Sequence, residues 1–518
     1  MIKDKILNFS EINKFVKDNK NKKVTLCHGV FDLLHIGHIK HFEESKKLGD
    51  ILVVSLTKDE FVNKGPNRPV FNTQQRAEFI SRIDVVDYVL INDYETSEKI
   101  IRFLKPKIYS KGLDYKDNKK DITNNIEIEI NAIESVKGKI HYTKSAKIDA
   151  SNILDQFNLI YSKEQKKFIN KVRVNFDNRM LKVFEKEARE KKILVIGELI
   201  IDSYIMCDPL GKSGKGSFLT FKRGKEHKFV GGSGFVANQL GNFSNKVDLL
   251  AIMSSSNKDE RFVKNNINKN VKLKVIKDKN FSTIVKTRYI EQVDFTKVVG
   301  IYDLGNTLIK ESLEKKIINF LSKNKKKYDL VIVSDFGHGL ITKKISKAIK
   351  DMKAFKASNA QVNSANKGER NLKKFSNFDC TVINSSELLH ESGSIPDFRE
   401  YYANTTKYNN DFLRLSKKLK KEIKTKTLVV TSGKSGSLLL NTKNQKIFCP
   451  AFAKNKLDKI GAGDSFFAII SLCKSCNLNE INSIFLASLA AAYTVEKFGN
   501  DKPINLNETK KILSHILI

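Results

Sequence analysis

The sequence predicts two doubly wound α/β domains, one after the other, joined by a helical connector. Three observations carry that prediction. The chain has 518 residues, too long for one domain of about 100–200 residues. Over residues 24–150, short apolar runs that end in polar or glycine turns alternate with helical patterns. The same alternation restarts abruptly at Ile193-Leu194-Val195-Ile196-Gly197, after a charged helical stretch. The resulting divisions are residues 1–150, a connector over 151–190, and 191–518.

Taken in order, Val24-Thr25-Leu26-Cys27 reads as a first strand, Ile39 to Leu48 as a helix and Asp50 to Leu56 as a second strand. Gln74 to Ile83 reads as another helix, and Val85 to Ile91 and Lys107 to Ser110 as two more strands. In the connector, Leu154, Phe157, Tyr161, Phe168, Val172, Leu181 and Phe184 recur at helical spacing. Beyond it, Leu330-Val331-Ile332-Val333, Thr381-Val382-Ile383 and Leu428-Val429-Val430 are compact enough for buried parallel strands with ligand groups at their carboxyl ends.

With 40% hydrophobic and 29% charged residues, the chain has the apolar material to fold, which excludes wholesale disorder. No run approaches the roughly 18 apolar residues of a membrane span, and Met1-Ile2-Lys3-Asp4-Lys5 does not open a signal peptide, so a cytoplasmic protein without a membrane partner is expected. The six cysteines (Cys27, Cys207, Cys380, Cys449, Cys473, Cys476) are too scattered for a disulfide framework, and the Cys473-x-x-Cys476 pair lacks further ligands for zinc. The net charge of +35 is spread along the whole chain without interleaved stacking aromatics. It therefore points to small phosphorylated substrates and not to a nucleic acid.

Gly29-Val30-Phe31-Asp32-Leu33-Leu34-His35-Ile36-Gly37-His38 follows the first strand and opens a helix. Glycine lets the backbone approach phosphate, and a helix amino end stabilises anionic oxygens. His35 and His38 bracket a glycine at that turn, where both can donate to phosphoryl oxygens as charge grows during attack on an α-phosphate. Downstream lie Lys46 with Gly49-Asp50, Arg68-Pro69, Gln75-Arg76 and Lys111-Gly112-Leu113-Asp114-Tyr115, in that order.

These residues together resemble the nucleotidylyltransferase superfamily that includes glycerol-3-phosphate cytidylyltransferase and the heptose-phosphate adenylyltransferases, which implies a Rossmann-like fold. The resemblance implies catalytic roles for His35, His38 and Lys46. It also implies nucleotide or phosphate contacts for Gly29, Phe31, Asp32, Arg68, Lys111, Asp114 and Ser151. Ser151 is all that remains of the hydroxyl-rich helix start that binds triphosphate in the family, which implies reduced triphosphate affinity.

Asp458-Lys459-Ile460-Gly461-Ala462-Gly463-Asp464-Ser465-Phe466 precedes an apolar helical stretch. Successive N–H groups of a glycine-rich turn make an anion hole, and an aspartate at the helix start can take a proton from an incoming hydroxyl. The segment resembles the PfkB (ribokinase-like) carbohydrate kinases, as do several others over roughly 190–515. Gly197-Glu198-Leu199-Ile200-Ile201-Asp202 looks like the family's first strand, and Gly231-Gly232-Ser233-Gly234 with Asn238 like its substrate-binding glycines. The resemblance implies that Asp464 is the general base, that Asn384 and Glu387 organise Mg²⁺ through water, and that Thr431, Gly433 and Gly436 with Gly461, Ala462 and Gly463 hold ATP phosphates. Asp202, Gly231, Gly232 and Asn238 would bind the sugar, with Lys286 or Arg288 on a distal phosphate. The heptose-7-phosphate kinase branch looks closest, from Ser334-Asp335-Phe336-Gly337-His338-Gly339 and Lys286-Thr287-Arg288-Tyr289. Two departures stand out: an uncharged strand end, Ala357 to Asn366, replaces Asp-Pro-Lys-Gly, and the transferase precedes the kinase. Gly211-Lys212-Ser213 is not a P-loop, because Met206 stands where the first glycine is required.

The expectation is thus a bifunctional sugar-phosphate kinase and sugar-1-phosphate nucleotidylyltransferase, using Mg²⁺ and ATP, with CTP an alternative nucleotide for the N-terminal half. Its partners would be sugar phosphates, nucleoside triphosphates and a second copy in a homodimer. The alternatives are that one half only binds or dimerises, or that the first half acts on another phosphorylated polyol.

Overall fold

The computed structural model of the chain describes residues 5–62, 68–113, 125–143, 161–305, 309–361, 372–392, 410–453, 457–499 and 501–517. They fall into two compact units, one from Met1–Lys163 with Lys510–Ile518, the other from Glu164–Thr509. Asp114 and Ser151, expected near the nucleotide, lie outside the described residues.

The first unit is built on strands β1 (Ile6–Leu7), β2 (Val24–Gly29), β3 (Ile51–Thr57), β4 (Tyr88–Asn92), β5 (Ile108–Gly112) and β6 (Lys139–Thr143). They form a six-stranded sheet in the order β1-β4-β3-β2-β5-β6, parallel throughout. Central β3, Ile-Leu-Val-Val-Ser-Leu-Thr, is buried at all seven positions, as a strand covered on both faces must be. Its side chains alternate between two cores: Ile51 and Val53 pack with Leu26 and Tyr109, whereas Leu52, Val54 and Leu56 pack with Phe42 and Ile80. The chain leaves β2 toward β3 and β4 on one side and returns to β5 and β6 on the other. The crevice at the carboxyl ends of β2 and β5 is therefore the switch point, where a sheet of this kind binds ligands.

The second unit contains β7 (Lys192–Gly197), β8 (Leu199–Lys212), β9 (Leu219–Gly232), β10 (Lys246–Ser254), β11 (Val271–Asp278), β12 (Ile284–Glu291) and β13 (Lys297–Asp303). These are followed by β14 (Leu330–Asp335), β15 (Phe355–Ala360), β16 (Cys380–Asn384), β17 (Thr427–Thr431), β18 (Ser437–Leu440) and β19 (Lys446–Cys449). A nine-stranded sheet runs β11-β10-β7-β14-β15-β16-β17-β18-β19, antiparallel only at β17-β18-β19. Its switch point lies between β7 and β14, where Gly197 passes so close to Ser334 that an added Cβ would sit 2.0 Å from the Ser334 carbonyl oxygen. A separate four-stranded sheet, β13-β12-β8-β9, stands beside it.

The expected helical connector is described from residue 161 onward. Helices Lys163–Asn175 and Asn178–Glu190 bury a stripe of Phe168, Ile169, Val172, Leu181 and Phe184. Phe168 packs 6.2 Å from Phe485, and the Asn482 amide donates to the Asn175 carbonyl at 2.8 Å, so this stretch is part of the second unit. The Gly211-Lys212-Ser213 segment ends a strand and opens no helix, as its rejection as a P-loop requires. Cys473 and Cys476 are both buried thiols.

Candidate active sites

In the first unit, His35 is the N-cap of helix Ile36–Lys46, and its Nδ1 accepts the Gly37 N–H at 3.1 Å. A ring accepting at Nδ1 carries its neutral-state proton on Nε2, which makes Nε2 the donor. The His38 ring stacks on that of His35 with centroids 3.9 Å apart, and Phe31 backs His38 edge-on at 5.4 Å. Phe31 adopts φ 48° and covers Gly29, where a side chain would reach within 2.9 Å of the Phe31 ring. The structure thus brings Gly29, Phe31, His35 and His38 together at the carboxyl end of β2.

Asp32 and Arg68 join them as a buried ion pair, and the other Asp32 oxygen accepts the backbone N–H groups of Val70 (2.6 Å) and Phe71 (3.1 Å). Lys111, on β5 across the switch point, is buried, and its ammonium meets Glu129 at 2.6 Å. Burial alone would raise the Glu129 carboxyl, yet the Lys111 charge holds it below the usual range. Lys46 is not brought to this cluster. It ends the helix that His35 begins, eight residues or about 12 Å beyond His38. There its ammonium donates to the Asp50 carbonyl and pairs with Asp87, both at 2.6 Å.

The sequence reading missed two histidines beside this cluster. His28 Nδ1 lies 2.9 Å from Ser55 Oγ, and His41 Nδ1 lies 2.7 Å from Thr143 Oγ1. Burial pushes both rings down to about 4, so both are neutral near pH 7. His28 shows in sequence as a polar residue ending an apolar run, whereas His41, in Lys40-His41-Phe42-Glu43-Glu44, carries no such signal.

In the second unit, a cavity of about 330 Å³ opens over the carboxyl ends of the large sheet. Helix Ala462–Ser475 points its amino end into it. Gly461 provides the left-handed N-cap (φ 81°) that a residue with a side chain resists, and Asp464 follows in the first turn. Burial, reinforced by Asp202, pushes the Asp464 carboxyl up to about 7. The Gln361 amide, just past β15, donates to Asp464 Oδ1 at 2.8 Å. Asp202, Gly232, Lys286 and Arg288 line one part of the cavity, and Asn384, Glu387, Thr431, Gly461 and Gly463 another.

Asp202 pairs with Arg288 at 2.5 Å, and Gly231 is needed opposite, because a Cβ there would lie 2.0 Å from Asp202 Oδ2. Lys286 is buried, its ammonium 5.7 Å from the Tyr302 ring and 5.8 Å from Phe336, and burial lowers its proton affinity. Asn238 faces elsewhere: its side chain bridges the Asn266 carbonyl and the Asn268 N–H. Gly433 and Gly436 form the turn after β17, and Gly436 (φ 90°) passes too close to Cys449 to carry a side chain. Ala462 is the first residue of the helix that carries Asp464.

Asn384 and Glu387 form a reciprocal cap, each side chain accepting the other's N–H at 2.8 Å. Among the described residues no group of three or more His, Cys, Asp or Glu is arranged to hold a metal ion. The oxygen-only set of Asn384 and Glu387 nevertheless fits Mg²⁺, which keeps most of its water and shares phosphate oxygens. Glu198 was not foreseen as structural. Buried at the end of β7, it accepts the N–H groups of Phe336 (2.8 Å), His338 (3.2 Å) and Leu340 (3.2 Å), fixing the loop after β14. Burial and the nearby Asp335 raise its carboxyl above the usual range.

Comparison with known proteins matches these two units to two families. The pfkB family carbohydrate kinase pattern fits residues 190–506, more than half of the chain. The chain belongs to the pfkB family of carbohydrate kinases. Ahead of that pfkB kinase, residues 26–193 match the cytidylyltransferase-like family, so an N-terminal nucleotidyltransferase domain is fused to the kinase. Among curated proteins, the bifunctional protein HldE of Campylobacter jejuni (strain RM1221) is 45% identical over 115 residues, 22% of this chain and 25% of that protein. HldE of Aliarcobacter butzleri is 37% identical over 138 residues, 26% of this chain and 29% of that protein. The chain thus spans between a quarter and a third of the length of these relatives. Phosphofructokinase-2 of Escherichia coli with potassium superposes with a TM-score of 0.51 at 13% identity, over 63% of this chain and 99% of that one. That likeness shows the ribokinase-like fold alone. No described helix is long and apolar enough to cross a membrane.

Proposed function

We propose that the chain is a bifunctional enzyme of nucleotide-sugar synthesis. The pfkB unit phosphorylates a sugar or sugar phosphate from ATP, and the transferase unit joins a sugar 1-phosphate to a nucleotide with release of pyrophosphate. The observation that carries the kinase reading is Asp464, a buried carboxylate at a glycine-turned helix start that faces a cavity with Asp202 and Lys286. The acceptor hydroxyl attacks the γ-phosphorus and its proton passes to Asp464. The bond from that phosphorus to the β-bridging oxygen breaks, and ADP leaves. N–H groups at the turn of Gly461 and Gly463 neutralise the phosphoryl oxygens, while Asp202 orients the sugar. Asn384 and Glu387 would hold Mg²⁺ through water, and the ion, when bound, offsets charge on the β- and γ-phosphates.

In the transferase unit, a sugar 1-phosphate oxygen attacks the α-phosphorus of the nucleotide and pyrophosphate leaves. His35 Nε2 and His38 donate to the α-phosphoryl oxygens as negative charge builds. The partial likeness to HldE, together with the Lys286 ammonium in the cavity, supports a phosphorylated heptose-like sugar and an activated donor for surface glycans, with ATP or CTP as the nucleotide.

A second reading has the first unit bind without turnover. It is favoured by Arg68 and Lys111, the two cations expected on phosphate, being held by Asp32 and Glu129. Separate assays of ADP and pyrophosphate release decide between them. Asp464→Asn abolishes ADP formation and spares pyrophosphate release, and His35→Ala with His38→Ala does the reverse. Loss of both products from either change would overturn the two-site reading, and no pyrophosphate from any tested pair would favour the binding role.

A further inference from the structure

The kinase cavity contains an amide whose placement the general reaction scheme does not require. Gln361 is the first residue beyond β15, and its backbone N–H donates to the Asp335 carbonyl at 2.8 Å, so its stem continues the sheet ladder. From that anchored stem its Nε2 donates to Asp464 Oδ1 at 2.8 Å, across to a different element. Two residues earlier, on the same face of the strand, the Asn359 amide is likewise fixed by donating to the Val382 carbonyl at 2.9 Å. Both side chains line the cavity. Among the described residues no hydrogen bond to the second Asp464 oxygen, Oδ2, is found.

We infer that Gln361 is the positioning residue of the kinase base: its amide tethers Asp464 Oδ1 and so turns Oδ2 toward the acceptor hydroxyl. The inference rests on reading Asp464 as that base. A carboxylate on a two-bond side chain flips between equivalent orientations unless one oxygen is held, and proton abstraction needs an oxygen within hydrogen-bond reach of the hydroxyl. The choice of an uncharged donor matters as much as the bond. A cation at this position would stabilise the carboxylate strongly and make it a weak base, whereas an amide orients it at little cost in basicity. The charges that act on Asp464 are Asp202 from β8, Lys286 from β12 and Glu387 from the helix after β16, and Arg288 and Lys459 line the same cavity. Among the described residues, Gln361 is the uncharged side chain that hydrogen-bonds this carboxylate.

The test uses the full chain with ¹³C at aspartate side-chain carboxyls, the Asp464 signal being assigned by its loss in Asp464→Asn. Titration of the wild type is expected to show a midpoint near 7. Gln361→Met, of similar size but without a donor, moves the midpoint up by about half a unit or more, about threefold in proton affinity. Gln361→Lys moves it down. Opposite movements are the signature of a direct bond, because a merely structural role would move both the same way or neither. If Gln361→Met fails to fold by circular dichroism, Gln361→Glu supplies the upward shift, and if Gln361→Lys fails, Gln361→Arg supplies the downward one. Midpoints that stay together, or that move in one direction, overturn the inference. ADP formation from ATP and heptose 7-phosphate separates this outcome from failure of the underlying reading. Asp464→Asn turning over at the wild-type rate removes Asp464 as base. Asp464→Asn inactive with unshifted Gln361 variants removes only the role of Gln361.

Discussion

Replacing Asp464 by asparagine should silence the kinase and, in the same stroke, stabilise the pfkB unit. Burial and the Asp202 charge push this carboxyl from its ordinary 3.8 up to about 7. An acid raised in this way holds its proton more tightly folded than unfolded. Its contribution to stability is complete below the unfolded value and is lost as pH rises through the folded one. A rise of about three units corresponds to about 4 kcal/mol between the two limits. Asparagine has the same shape, cannot ionise, and still offers Oδ1 to the Gln361 amide. The variant should therefore gain up to about 4 kcal/mol over the wild type at pH 8 and well under 1 kcal/mol at pH 4. In a unit of this size that amounts to about 5 °C in the corresponding calorimetric transition at pH 8. A variant less stable than wild type at pH 8, or a gain equal at both pH values, would refute the reasoning. The base would then not be a carboxylate held in a costly ionised state.

Other consequences can be measured in parallel. Gly231→Ala places a methyl group 2.0 Å from Asp202 Oδ2 and should raise the sugar KM at least about tenfold while the circular dichroism spectrum is kept. Lys111→Met leaves Glu129 buried without its cation and should cost the first unit about 3–5 kcal/mol, most of it recovered in the double variant Lys111→Met with Glu129→Gln, as read by calorimetry. His28 and His41 are held neutral, with values near 4, so their contribution is complete above pH 6.5 and is lost as pH falls toward 4. His28→Asn should accordingly reduce the drop in first-unit stability between pH 7 and pH 4.5 by about 2 kcal/mol.

Much of this was legible in the sequence because buried parallel strands write themselves as apolar runs. Ile51 to Leu56, Ile193 to Ile196, Leu330 to Val333 and Leu428 to Val430 all lie in strands of the two large sheets. The glycine-flanked turns at His35 to His38 and Gly461 to Asp464 stand at helix starts for the reasons their composition suggested. The four-stranded sheet was not legible. β13 is exposed at every position and β9 is studded with lysines, so neither carries the burial pattern by which a strand announces itself. The stretch over 151–190 reads in sequence as a helical connector because its outer face is charged, and from residue 164 its apolar stripe lies in the second unit. Lys46 reads as a site cation in sequence, but helical rise carries it away from the histidines to Asp87. Gln361 acts through one hydrogen bond and Glu198 through three, all to positions distant in the chain, which no local spacing reveals.

The central claim is that one chain makes a phosphorylated sugar and activates a sugar 1-phosphate at two separate centres. Phosphorus NMR of the full chain with Mg²⁺, ATP or CTP, and heptose 7-phosphate, heptose 1-phosphate or glycerol 3-phosphate tests it most directly. The account predicts ADP with a new sugar phosphate from one substrate, and pyrophosphate with a nucleotide-linked product from another. Absence of both product pairs across the panel, with the nucleotides left intact, would contradict it.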